Sequence, residues 1–216
     1  MKLTKQTVLM TSIIAFLITT TVPVYAQDDH RDAVIAPASI KVAQTNAALR
    51  DLWMGHAFWV RNVVVATIAN NKTAATAAEN EVVANAKLIA ASIEPFYGKA
   101  AADKLFNLLA GHYGAVKQHL DTIVAGSHKE DAAMKKLTDN IEEIAIFLSG
   151  ANPNLPRDAV RGLLLAHVGH HKQQIQQLQD KQYQQEAQTW DAMKAHMYVI
   201  ADTLIQALAT QFPAKF

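Results

Sequence analysis

Leu52-Trp53-Met54-Gly55-His56, Leu108-Leu109-Ala110-Gly111-His112 and Leu163-Leu164-Leu165-Ala166-His167 are three versions of one five-residue phrase. Each runs leucine, large apolar, apolar, small, histidine. Each has a base five residues after the histidine: Arg61, Lys117 and Lys172. A second phrase follows each first one. Val82-x-x-Asn85-x-x-x-Ile89-Ala90-x-x-Ile93 aligns with Leu137-x-x-Asn140-x-x-x-Ile144-Ala145-x-x-Leu148 and with Met193-x-x-His196-x-x-x-Ile200-Ala201-x-x-Leu204. Three copies at a period of about 55 residues mark an internal triplication.

Between these phrases the apolar residues keep a helical period, with hardly any strand-like alternation. Breaks fall at Asn70-Asn71-Lys72, Glu94-Pro95-Phe96-Tyr97-Gly98, Gly126-Ser127-His128, Gly150 to Pro156 and, more weakly, Asp180-Lys181-Gln182. They predict six helices near residues 37–69, 74–93, 100–125, 129–149, 157–179 and 184–210. The stretch Gln173 to Gln188 contains neither Gly nor Pro, and only the repeat argues for a turn inside it. The expected fold is all-α: an up-down bundle of six helices built from three αα-hairpins, at about 37–93, 100–149 and 157–210, in a single domain over 37–216.

The repeat also predicts a level within that bundle. His56 and Asn85 lie about equally far from the turn at Asn70, each roughly 21 Å along its helix. They should face one another across the hairpin, as should His112 with Asn140 and His167 with His196. All six sit on apolar faces; Leu52 and Val60 flank His56 one turn either way, and Leu108 and Val116 flank His112. A buried polar side chain without a partner costs about 1–3 kcal/mol. Six of them in one layer need each other, water or a ligand.

Two functional readings follow. In one, His56, His112, His167 and His196 supply neutral imidazoles to a divalent transition metal (zinc, copper, nickel or iron) or a small ligand, with Asn85 and Asn140 orienting the rings. His171, which aligns with Val60 and Val116 and would extend the layer at one end, and Asp202 are secondary candidates; His167 and His171 also have the spacing of a local helical chelate at the surface. In the other, the layer only fixes helix register, in a structural or secreted interaction protein. Arg61, Lys117 and Lys172 are flank residues or a ring of bases that attracts an anion. Trp53, Met54, Phe58 and Trp59 are core or an aromatic wall for a ligand. A third reading, a metal-dependent hydrolase, has less behind it. There is no Glu-x-x-His, His-Glu-x-x-His, phosphate-binding Gly loop or Gly-x-Ser-x-Gly, and no nucleophile–base–orienter set.

Composition narrows the classes. The 216 residues are 50% hydrophobic and 18% charged, too apolar for a disordered chain. Without cysteine there are no disulfides, thiolate metal sites or cysteine nucleophiles. Residues 1–26 have the pattern of a secretory signal peptide. Lys2 and Lys5 precede an uncharged apolar run from Val8 to Val24, and Val24-Tyr25-Ala26 places small residues at the cleavage positions. A flexible segment is expected at 27–36. Removal of the signal leaves 18 basic and 19 acidic residues, with no nucleic-acid footprint. No later stretch has the length and apolarity of a membrane span. The expected product is exported, to a periplasm or the medium, and its partner is a metal, a small ligand or a protein.

From Leu52-Trp53-x-x-His56-x-x-Trp59-x-Arg61 onward the chain resembles a family of bacterial all-helical proteins, with members in bacilli. Shared marks are Pro95-x-Tyr97-Gly98, Leu108-Leu109-x-x-His112, Asn140 with Phe147-Leu148-Ser149, Asn152-Pro153 and Ala201-Asp202, spread through nearly the whole mature chain. The resemblance implies a helical bundle and no particular activity. Family members often carry an acid just before these histidines, where this chain has Gly55, Gly111 and Ala166. Any metal role of those acids does not carry over.

Overall fold

The computed structural model describes residues 37–127 and 129–216. The expected signal peptide, the segment 27–36, His30 and His128 lie outside them. Every regular element described is helical. These are α1 (Pro37–Ile68), α2 (Lys72–Ser92), a single turn α3 (Glu94–Tyr97), α4 (Lys99–Val124), α5 (Glu130–Ala151), α6 (Arg157–Gln179), α7 (Tyr183–Gln211) and a closing 3-10 turn at Pro213–Lys215. No helix among the described residues is long and apolar enough to cross a membrane.

The helix ends have local causes. Asn70 adopts the left-handed conformation (φ 54°), and the Asn71 side chain accepts a hydrogen bond from Ala74 N to cap α2. Gly98 (φ 81°) and Gly126 (φ 59°) occupy the positive-φ region that suits glycine. The Gln-rich stretch does break: α6 ends at Gln179, and Lys181 takes φ 59° before α7 begins. No Gly or Pro announces that turn, so the repeat was its only signal.

Neighbours in the chain are neighbours in space. α1 packs on α2, α2 on α4, α4 on α5, α5 on α6, α6 on α7, and α7 returns to α1, closing a ring. In addition α1, α4 and α6 touch one another across the middle. These three carry the repeated Leu-x-x-x-His phrases, so the phrases face the centre. Two bidentate ion pairs fasten the closure of α1 on α7. Arg50 donates to both oxygens of Asp202 at 2.7 and 2.6 Å, and Arg61 to both oxygens of Glu186 at 2.7 and 2.6 Å. The Glu186 side chain is buried and also accepts from Gln174 Nε2 at 3.0 Å. Three donors favour the charged form of that carboxylate and lower its titration against the opposing effect of burial, the Arg61 bonds contributing most.

The apolar interior divides into two clusters. On α1, Leu49, Trp53 and Ala57 belong to one and Val60, Val63 and Val64 to the other, with His56 between them. Asn85 on α2 and His112 on α4 stand at the same divide. The polar level expected from the repeat is therefore a break in the core at mid-bundle.

Candidate metal centre

Four histidines meet where the inner helices touch: His56 from α1, His112 from α4, and His167 and His171 from α6. All are buried, at 1–6% exposure. The His167 and His171 Nε2 atoms lie 3.1 Å apart. Two nitrogens on one tetrahedral ion at the usual 2.0–2.1 Å stand about 3.3 Å apart. One nitrogen each from His56, His167 and His171 falls within 4.8 Å of the others, close enough to share an ion after small ring rotations. His112 stands alongside, its ring centre 6.4 Å from that of His56 and 5.9 Å from that of His167.

Burial keeps the rings uncharged. Desolvation pushes His56 down to about 3, with a smaller push from His112. It pushes His112 to about 4, against a hydrogen bond to Asn140 that works the other way. His167 and His171 lie well below the ordinary histidine value, first through desolvation and then through neighbouring histidines. Neutral imidazole is the form that ligates metal.

Asn140 determines the tautomer of His112. Its amide Nδ2 donates to Leu108 O at 3.1 Å, which points Oδ1 at the ring. That oxygen can only accept, so His112 Nδ1 carries the hydrogen of the 3.1 Å contact and Nε2 holds the lone pair. The expected pairings of His56 with Asn85 and of His167 with His196 are not formed. Asn85 Nδ2 instead donates to Leu52 O at 3.0 Å, and its Oδ1 is buried without a partner. His196 Nε2 donates to Leu163 O at 2.8 Å.

These three carbonyl bonds fall at matching positions of the three aligned sequence phrases. Asn85 reaches back 33 residues to Leu52, Asn140 reaches back 32 to Leu108 and His196 reaches back 33 to Leu163. The outer-helix residues of the layer therefore anchor inner-helix backbone, while the inner-helix histidines form the cluster. His196 belongs with the anchors. It lies outside the group that can share an ion, its ring 5.5 Å from that of the half-buried His170. In exchange the centre gains His171. The expected surface chelate of His167 and His171 is in fact central. Its i, i+4 spacing was the available signal, but the helix's orientation was not.

The glycines before the first two histidines make room for the anchors. A Cβ on Gly55 would stand 2.9 Å from Asn85 Nδ2, and one on Gly111 3.2 Å from Asn140 Nδ2. The close approach is by a carboxamide of the paired helix. Gly55→Ala should push Asn85 off Leu52 O and leave a buried amide short of a partner. The loss of about 1–3 kcal/mol outweighs a helix-propensity gain of about 0.5–1 kcal/mol. A lower urea midpoint is expected, with a smaller drop for Gly111→Ala. A Gly55→Ala protein as stable as the parent would refute the anchoring role.

The remaining candidates are engaged elsewhere. Asp202 is held by Arg50 and meets no histidine. Arg61 is committed to Glu186, and Lys117 lies 2.5 Å from Asp121 and 3.9 Å from Glu79. With Lys172 exposed on α6, the three bases form no ring open to an anion. Trp53 is buried and meets His56 edge-on at 6.3 Å, whereas Phe58 is 47% exposed. They do not form a common wall. Glu186 was missed, since nothing in its Gln-rich setting marked it as the buried partner of Arg61.

The chain matches no protein-family model, and no curated protein or solved structure is significantly similar to it.

Proposed function

We propose that this is an exported metal-binding protein that holds one divalent transition-metal ion through His56, His167 and His171. The carrying observation is that three imidazole nitrogens lie within 4.8 Å of one another in a buried setting that keeps them neutral. Three histidines without a carboxylate or thiolate suit zinc, copper, nickel or iron. His112, its ring oriented by Asn140, stands beside the ion as a fixed base. Export rests on the secretory pattern of residues 1–26.

The register reading describes the other half of the layer. Asn85, Asn140 and His196 each hold a leucine carbonyl on the paired inner helix. A structural role for the anchors and a ligand role for the cluster are compatible. Three converging neutral imidazoles account for holding an ion, and binding is the function the site supports best.

Elemental analysis of protein purified without a nickel column tests the proposal. One equivalent of metal per chain is expected, or, if the protein emerges metal-free, calorimetric uptake of one equivalent. A protein that takes up none of zinc, copper, nickel or iron would refute it.

A further inference from the structure

An apolar interior space adjoins the histidines. An apolar chamber of about 70 Å³ is lined by His56, His112 and His167 at one end. His171 takes no part in its wall. Leu49, Leu105 and Val160 also line it, each seven residues before one of those histidines. The chamber therefore extends roughly 10 Å along the bundle axis at 1.5 Å per residue. Leu109, Ile144 and Leu164 line its flank.

Apart from the histidines and the unpartnered indole N–H of Trp53, its few polar side chains are already occupied. Ser92 donates to Ile89 O and Thr203 to Val199 O. At the far end Asn152 Nδ2 donates to Tyr97 OH, which donates to Gln211 Oε1, while Asn152 Oδ1 accepts from Asn154 N. Apart from the histidines, this wall has little to offer a polar guest. Water needs two to four polar partners in a cavity, and apolar cavities stay dry. The space is about half that of an engineered cavity known to take benzene. It suits a guest of two or three heavy atoms.

Three protein ligands leave a tetrahedral ion one further position. Two of the three, His56 and His167, form part of the chamber wall. We infer that the chamber holds an uncharged diatomic ligand, of the size and polarity of dioxygen or nitric oxide, and presents it to the ion's remaining position. The inference rests on the metal site proposed above and specifies its ligand class. A hydrated anion is disfavoured because, outside the histidines, the wall offers it a single unpartnered donor, Trp53 Nε1, in place of its water shell.

Two measurements test it. Metal-free protein under xenon pressure should show methyl shifts at Leu109, Ile144 and Leu164, which needs the chamber but no metal. Protein loaded anaerobically with ferrous iron should then bind nitric oxide, giving a ferrous-nitrosyl paramagnetic resonance signal, and should ignore azide. Leu164→Phe, which fills the chamber beside His167, should keep its iron and lose nitric oxide affinity by roughly tenfold or more. Leu208→Phe at the far end is the second variant should the first misfold. No xenon response, azide binding as readily as nitric oxide, or unchanged affinity in a folded, filled variant would overturn the inference. Failure of the metal site would look different: xenon uptake by a protein that takes up no iron, which would overturn this inference as well.

Discussion

Zinc added at a thousandfold excess over its dissociation constant should raise the protein's unfolding temperature by roughly 8–16 °C. An ion that binds only the folded state stabilises it by about 4 kcal/mol at that excess. For a chain of this size each kcal/mol moves the midpoint by about 2–4 °C. The gain should vanish in His171→Ala and in His167→Ala, whose Nε2 atoms stand 3.1 Å apart. It should vanish or shrink sharply in His56→Ala. It should survive in His196→Ala, because that ring spends its Nε2 hydrogen on Leu163 O outside the cluster. Each variant is compared with itself, with and without zinc, so a change in intrinsic stability does not enter. An undiminished zinc gain in His171→Ala would show that the metal sits elsewhere.

Acid should unfold the metal-free protein near the upper edge of the carboxylate range, because its buried histidines take up protons only on unfolding. Free histidine titrates near 6.5, whereas burial holds His56 at about 3 and His112 at about 4, with His167 and His171 displaced the same way. Between those limits the unfolded chain binds more protons than the folded one. Stability is therefore complete above pH 6.5 and falls as the pH drops below it. Near pH 4.5 each such histidine costs about 2.7 kcal/mol, at about 1.36 kcal/mol per unit. His56 and His112 alone then remove about 5 kcal/mol, which rivals the whole stability of many domains. Circular dichroism against pH should show a cooperative loss of helix between roughly pH 5 and 4. Saturating zinc should move the transition to lower pH, since protons must then displace the ion. Full helicity and native packing retained at pH 4 would contradict this account.

Both predictions depend on which histidines are central, and there the sequence was only partly legible. The helices, their breaks and the mid-bundle polar level were readable because each follows from local periodicity. Even the turn at Lys181, which has no local marker, followed from the spacing of the copies. The partition of the layer was not readable. Asn85, Asn140 and His196 occupy matching places in the repeat and make matching bonds to leucine carbonyls. Histidine and asparagine serve equally as donors there, so the change at position 196 looked like a fourth ligand. His171 has no histidine counterpart in the other copies, where Val60 and Val116 stand. The repeat therefore put it on the inward face, at one end of the layer, without counting it among the central ligands.

The amino-acid sequence by itself determined the class of the fold, the length of each helix and the depth at which polar residues interrupt the apolar faces. These depend on contacts within one or two turns of chain, and the residues within those turns specify them. Tertiary structure alone decided which polar residues meet. The histidines converge because α1, α4 and α6 are the helices that touch in the middle, and because α6 is oriented so that His167 and His171 are both buried there. Glu186 became the buried partner of Arg61 only when α7 closed the ring on α1. Each of these outcomes depends on how whole helices pack against one another. That packing is set by the summed burial of many side chains, and no single phrase of sequence records it.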